Sequence, residues 1–243
     1  MIQGMEIEPI ARAAVSDAVF AHLVDEILSG RIEVDAALPS ERELAPAFAV
    51  NRHAVREALK RLQQARLIRI SHGGKTRVED WRKTAGLDVL STLASTGAVP
   101  AVQIARDIMV MRRSVAADAA RLCARNATDS QLAAVAAAAV AYPPEWTDDS
   151  VAADLVFWTL VIDGGGNLAY RLALNTLVAA FADIGFDMIA QLGTAAELAD
   201  RDAHIALAER LAARDGDGAH RLADELLGRV VETLSATDAS GQE

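Results

Sequence analysis

The sequence predicts a mainly α chain: three helices and a short β-hairpin at the N-terminus, followed by an all-helical antiparallel bundle. Three observations lead there. Alanine and leucine recur at helical spacings along most of the 243 residues, while strand-type alternation is scarce. Hydrophobic residues make up 52% of the chain and aromatics only 4%, a composition that favours helix and supplies enough apolar mass for a packed core. The charge is segregated, although the formal net value is -10: residues 1–38 hold two Arg/Lys against seven Asp/Glu, residues 39–83 hold 11 against five, and residues 84–243 hold 11 against 22. A basic island inside an acidic chain points to a segment that meets a polyanion, joined to a body that repels it. The plain alternative is that a short basic segment is a solvated face.

From Pro9 to Gly30 the apolar positions Val15, Val19, Leu23, Ile27 and Leu28 mark one amphipathic helix, with Pro in its first turn and Gly at its stop. In LPSERELAPAF, Ser40 and Glu43 have the spacing of a capping box, so a second helix starts at Glu41. Pro46 cannot donate to the carbonyl of Arg42, and this helix is expected to be short or bent. Asn51 then caps a third helix, VNRHAVREALKRL, whose Val55, Ala58, Leu59 and Leu62 form an inward stripe. On its opposite side Arg52, Arg56 and Lys60 recur at i, i+4 and i+8, with His53 beside them. LIRIS (67–71) and KTRVE (75–79) alternate apolar and polar around His72-Gly73-Gly74, which reads as a hairpin of two short strands.

Two helices joined by a short turn, the second presenting Asn and Arg at its N-terminus, suit a DNA major groove: Arg pairs bidentately with guanine and Asn with adenine. The hairpin tip with His72, Lys75 and Arg77 is placed to reach the minor groove or phosphates, whereas His72 alone would be an ordinary exposed histidine. The run LPSERELAPAFAVNRHAVREALKRLQQARLIRISHGGKTRV resembles, in order and over its whole length, the winged helix-turn-helix DNA-binding domain of the GntR family of bacterial transcription regulators. The resemblance implies DNA contacts from Arg42, from Asn51, Arg52, His53 and Arg56, and from His72 and Gly73 at the wing tip. The chain departs from the family at Pro46, and at His53 and Ala54, where relatives often carry hydroxyl residues. These departures bear on which operator is read.

From about residue 84 the pattern is helix after helix, expected at 84–95, 101–126, 129–141, 148–162, 168–190, 195–213 and 218–235. Thr128 with Gln131 and Thr194 with Glu197 repeat the capping-box spacing, and no repeat of fixed period appears, which favours a bundle over a solenoid. The domain reading is 1–80 for the DNA-binding domain, 81–98 for a linker, 99–235 for an effector-binding and dimerisation domain, and 236–243 for a disordered tail.

MVMRRSVAADAARLCARNAT and DLVFWTLVIDGGGN resemble the all-helical ligand-binding domain of the FadR (FCD) subgroup, and HGGKTRVEDWRKTAGLDVL resembles the fatty-acid regulators after which it is named. The resemblance implies a homodimer on a pseudo-palindromic double-stranded DNA operator, sensing a small organic acid or a fatty acyl-CoA. Many members of the subgroup hold a divalent ion with Asp and His at i and i+4 plus two later His. Here Asp154 is followed at i+4 by Trp158, His204 matches the third ligand, and Leu226 to Gly228 supply no fourth. No metal cofactor is therefore expected, and the cavity should be more apolar, lined by Asp154, Trp158 and His204, with Arg112 and Arg113 on one long helix either the cationic candidates for an acidic effector or surface ion-pair partners. A metal-dependent carboxylate sensor of the same family is the alternative.

Enzyme chemistry with Asp154 and His204 as base and partner is disfavoured, since no nucleophile motif accompanies them and GGGN lacks the strand a dinucleotide site needs. A DNA-packaging protein without an effector would show shallow sequence preference. The single Cys123 cannot form an internal disulfide. The first thirty residues show no apolar signal segment. The longest low-polarity run, 132–142, is eleven residues, short of the roughly 20 that a spanning helix needs. A cytoplasmic protein with no membrane partner is expected.

Overall fold

The computed structural model describes residues 12–70, 75–96, 99–147, 149–184, 195–198 and 200–240. Contacts divide the chain into two compact units, Met1–Ala101 and Val102–Glu243.

In the first unit, α1 (Arg12–Leu28) packs on α3 (Arg52–Gln64). Val19, Leu23, Ile27 and Leu28 are buried as the stripe predicts, joined by Phe20 and Val24, and they meet the buried Val55, Ala58, Leu59 and Leu62 of α3. α2 (Glu41–Ala47) has only seven residues with Pro46 inside it, so the expected shortening is observed. The turn into α3 places Ala49 at φ 53°, a left-handed conformation that costs a residue with a Cβ about 1–2 kcal/mol. Asn51 Oδ1 accepts the Ala54 N–H at 2.9 Å and starts α3. The helix ends in a Schellman motif: Leu67 N–H donates to Leu62 O at 2.9 Å and Arg66 N–H to Gln63 O at 3.0 Å, with Arg66 at φ 57° in the place glycine usually takes.

The wing is β1 (Ile68–Arg69) against β2 (Arg77–Val78), antiparallel with Ile68 opposite Val78, and Ala37 adds one bridge to Arg77. The sequence expectation of one helix at 84–95 needs correction. α4 (Trp81–Thr84), a 3₁₀ turn (Leu87–Val89) and α5 (Leu90–Thr96) occupy the segment, and the break falls at Gly86, whose extended backbone precedes the 3₁₀ turn. α5 packs on α1, inside the first unit.

The second unit is built from α6 (Ala101–Asn126), α7 (Asp129–Val140), α8 (Ser150–Gly165), α9 (Leu168–Ile184), α10 (Ala195–Leu198), α11 (Arg201–Ala212) and α12 (Gly216–Ser240). The capping box at the head of α7 is present: Thr128 N–H donates to Gln131 Oε1 at 2.9 Å, and Gln131 N–H to Thr128 Oγ1 at 3.3 Å. Small side chains on α6, among them Ala116, Ala120 and Ala124, let the core residues Phe157, Val161, Leu207, Leu211 and Leu226 approach closely.

GGGN, read from sequence as a break, has three separate jobs. A Cβ on Gly164 would lie 2.7 Å from Cys123 Sγ, and one on Gly165 would lie 3.3 Å from Ala119 O, so α8 touches α6 where side chains cannot fit. Gly166 closes α8 at φ 71°, and Asn167 Oδ1 accepts from Ala169 N–H at 3.0 Å to open α9.

The expected helix 195–213 is two elements, because Asp200 Oδ1 takes the Ala203 N–H at 3.0 Å and starts α11 afresh. The last helix runs through Ser240, past residue 236 where the sequence reading began a tail. Among the described residues, no helix is long and apolar enough to cross a membrane.

Candidate DNA-reading face and effector site

The mainly helical fold with its N-terminal helix-turn-helix and small wing sets α3 so that its apolar stripe is covered and Arg52, His53 and Arg56 stand exposed at its start. Arg42 on α2 is exposed as well. The basic residues then separate into two kinds. Arg56 is forked onto Glu41, Lys60 pairs with Glu57 at 2.9 Å, and Arg69 bridges Glu79 at 2.9 Å and Asp35. Arg61 turns away toward α1, where it meets Asp17 and covers the Phe20 ring at 4.0 Å. Arg42, Arg52 and Lys75 have no ion-pair partner among the described residues. Exposed pairs of this kind contribute about 0–1 kcal/mol, so a phosphate can compete for the paired cations.

Asn51 holds the cap that the sequence predicts. Its Oδ1 holds the cap, so bidentate adenine pairing would draw on an oxygen already in use, and the outward-facing capacity is its amide donors. His53 flanks the Arg stripe and lines a groove with Ser16, Asp17 and Glu57. His72 and Gly73 lie outside the described residues.

In the second unit the four candidates Arg112, Asp154, Trp158 and His204 come together, and two residues missed by sequence reasoning, Tyr142 and Glu197, join them. Arg112 Nη2 donates to both oxygens of Asp154 at 3.0 and 2.9 Å, and its Nη1 to Glu197 Oε1 at 2.6 Å. Tyr142 OH donates to Asp154 Oδ1 at 3.1 Å. The His204 ring stacks on Tyr142 at 3.9 Å and meets Phe157 edge-on at 5.0 Å.

Burial alone would lower the Arg112 pKa, but Asp154 and Glu197 outweigh it and hold the guanidinium charged. Burial pushes Glu197 up to about 7 against the pull of Arg112. Burial also pushes His204 down, so its ring is neutral near pH 7. Its Nδ1 lies 2.7 Å from Asp200 O; a carbonyl only accepts, so Nδ1 carries the hydrogen and Nε2 presents a bare lone pair. That Nε2, Trp158 Nε1 and Glu197 Oε2 are buried without hydrogen-bond partners among the described residues.

The expected capping box of Thr194 with Glu197 is only half within the described residues. Thr194 lies outside the described residues, and the Glu197 carboxylate points to Arg112 instead. No local signal reveals this, because the partners are 85 residues apart. Arg113, the neighbouring cation, turns to Asp224 on α12 at 2.6 Å.

These residues do not fit a divalent metal. Both Asp154 oxygens face a guanidinium, a cation where the ion would have to sit. Trp158 supplies no ligand, and Gly228 is packed against the Arg113 guanidinium, 3.0 Å from where its Cβ would be. No group of three or more His, Cys, Asp or Glu among the described residues is arranged to hold a metal ion.

A winged reading head joined in one chain to a helical unit with a buried, partly unsatisfied polar cluster defines a class: ligand-responsive DNA-binding regulators. The comparisons specify which. Residues 15–78 match the bacterial regulatory proteins of the gntR family and residues 107–229 match the FCD domain. The chain belongs to the GntR family and carries an FCD effector-binding domain.

The HTH-type transcriptional regulator Mce2R of Mycobacterium tuberculosis is 32% identical over 234 residues, 96% of each protein. The fatty acid metabolism regulator protein of Edwardsiella ictaluri is 34% identical over 178 residues, 71% of this chain and 72% of that one. The Streptococcus agalactiae GntR structure aligns with a TM-score of 0.45 at 20% identity, over 91% of this chain and 99% of that one. The protein is a transcriptional regulator, not an enzyme; its N-terminal domain binds DNA and its FCD domain a small-molecule effector.

Proposed function

We propose that the protein is a homodimeric repressor of the cytoplasm that reads a pseudo-palindromic operator and responds to a small acidic metabolite, either an organic acid or a fatty acyl-CoA. The observation that carries the reading is the start of α3, where Arg52, His53 and Arg56 are exposed while the apolar side of the helix is wholly covered. Arg52 and Arg56 supply base contacts, Arg42 a contact from α2, Asn51 its amide donors, and His72 and Gly73 the wing tip. Phosphate neutralisation by the basic island provides affinity, and base contacts provide choice.

Arg112, Asp154, Trp158 and His204 form the effector site. The aromatic faces of Trp158 and Phe157 around the buried cation support a ligand with an acidic head and an apolar tail. The relatives named for fatty acid metabolism support the same class.

The test is selection of bound sequences from a random DNA pool, followed by Arg52→Ala on the selected site. The expected result is a loss of about 1–3 kcal/mol with blurred preference at one position per half-site. Equal weakening on every sequence would make Arg52 a phosphate contact.

A further inference from the structure

Glu197 is held in an unusual way. It is 1% exposed, yet half of its acceptor capacity is unused, because Oε2 has no hydrogen-bond partner among the described residues. Its hydrogen bond among the described residues is to Arg112, which Asp154 already engages with both oxygens. One cation thus faces two carboxylates inside the protein, and the two are not equivalent. Asp154 is fixed by two bonds to Arg112, a third from Tyr142 and its place on the 16-residue α8. Among the described residues Glu197 is fixed by one hydrogen bond, with Arg229 adding charge attraction. Trp158, whose indole N–H also has no partner among the described residues, lies with its ring 5.8 Å from the guanidinium carbon.

We propose that Glu197 is an internal stand-in for the effector's carboxylate: without ligand it occupies the edge of Arg112 that a free carboxylic acid takes on binding, and the incoming acid displaces it. This rests on the reading of the cluster as the effector site and narrows the ligand to a free acid rather than a thioester.

Above about pH 7, where Glu197 is ionised, the exchange is chemically economical, since one carboxylate replaces another on the same guanidinium and the buried cluster keeps its charge. It also addresses the orphaned donor, because the second oxygen of an untethered carboxylate can seek the Trp158 N–H, which the side chain of Glu197 leaves unmet. The apolar tail has Phe157 and Trp158 as its nearest surfaces. α10 packs against α8 and α12, so releasing Glu197 loosens an element that touches two long helices. Displacement therefore supplies a mechanical output through α10.

Isothermal titration of the full-length protein with straight-chain acids from butyrate to decanoate, and with octanoyl-CoA, tests the proposal on wild type, Glu197→Gln and Glu197→Asp. Both variants weaken the internal competitor, the first by removing its charge and the second by shortening its reach. The expected result is acid binding to wild type and binding at least tenfold tighter to whichever variants keep the wild-type circular dichroism spectrum. Equal or weaker acid binding by the variants overturns the stand-in, since Glu197 would then assist the ligand. Octanoyl-CoA binding without acid binding also overturns it, while leaving the effector site intact. Failure of every probe on every protein overturns the stand-in together with the site assignment.

Discussion

Arg56 of α3 meets Glu41 of α2 fork-on: its Nε lies 3.1 and 3.2 Å from the two carboxylate oxygens and its Nη2 lies 2.8 Å from one of them. A side chain expected to read bases is thus aimed by the helix before it. The pairing holds the Glu41 carboxyl below its ordinary pKa through the Arg56 hydrogen bonds.

Glu41→Gln should therefore separate affinity from selectivity. Removing the carboxylate raises binding to any DNA through the extra net positive charge, while the released Arg56 loses its fixed direction. Competition anisotropy with operator and scrambled duplexes should show a several-fold smaller ratio between them. An unchanged ratio would mean that Glu41 does not aim Arg56.

Gly164→Ala should destabilise the protein by about 1–3 kcal/mol, the usual cost of an extra methyl in a filled contact. The added Cβ would stand 2.7 Å from Cys123 Sγ. Combining it with Cys123→Ala should give a total smaller than the sum of the two losses, because the second change vacates the space the first demands. Urea denaturation of the four proteins measures this, and strict additivity would contradict the contact.

Ala49→Gly should stabilise the helix-turn-helix by about 0.5–1 kcal/mol, since the φ of 53° costs alanine more than glycine loses in chain entropy. A rise in the unfolding midpoint with operator binding unchanged is the expected observation.

Stability should also fall as pH rises through the range set by Glu197. In the unfolded chain its carboxyl ionises near the ordinary value of 4.5, whereas burial in the fold pushes its pKa up to about 7. Between those values the unfolded state binds fewer protons than the folded one, so the Glu197 contribution is fully present below about pH 4.5 and is lost by about pH 7. Glu197→Gln should flatten the pH profile by up to about 1.4 kcal/mol per pH unit in that window. A wild-type slope retained by the variant would assign the effect to another group.

The sequence carried its local features well, because each depends on a few neighbouring residues. The stripe of Val55, Ala58, Leu59 and Leu62, the Asn51 cap, the shortening at Pro46 and the Thr128 box all appear where spacing places them. Glu41 and Arg56 were each visible, but their pairing was not, since it depends on how the two helices are docked. The count of basic residues likewise overstated what is unpaired, because Arg61 and Arg69 are spent on Asp17, Asp35 and Glu79.

In the helical domain, Asp154, Trp158, His204 and Arg112 were legible through the family pattern. Tyr142 and Glu197 match no local motif of that site and reach it only through tertiary packing. Glu197 was hidden twice, since its spacing from Thr194 offered a simpler role.

Trp158 gives the molecule an optical property of its own. Of the three tryptophans, Trp146 lies open to solvent and Trp81 is half-covered, while Trp158 is 2% exposed, beside a guanidinium and an imidazole. Its indole should emit on the blue edge of the spectrum and resist a soluble quencher such as iodide. Any rearrangement around Arg112 should then register as a change in that blue component, so the protein can report on its own interior without a label.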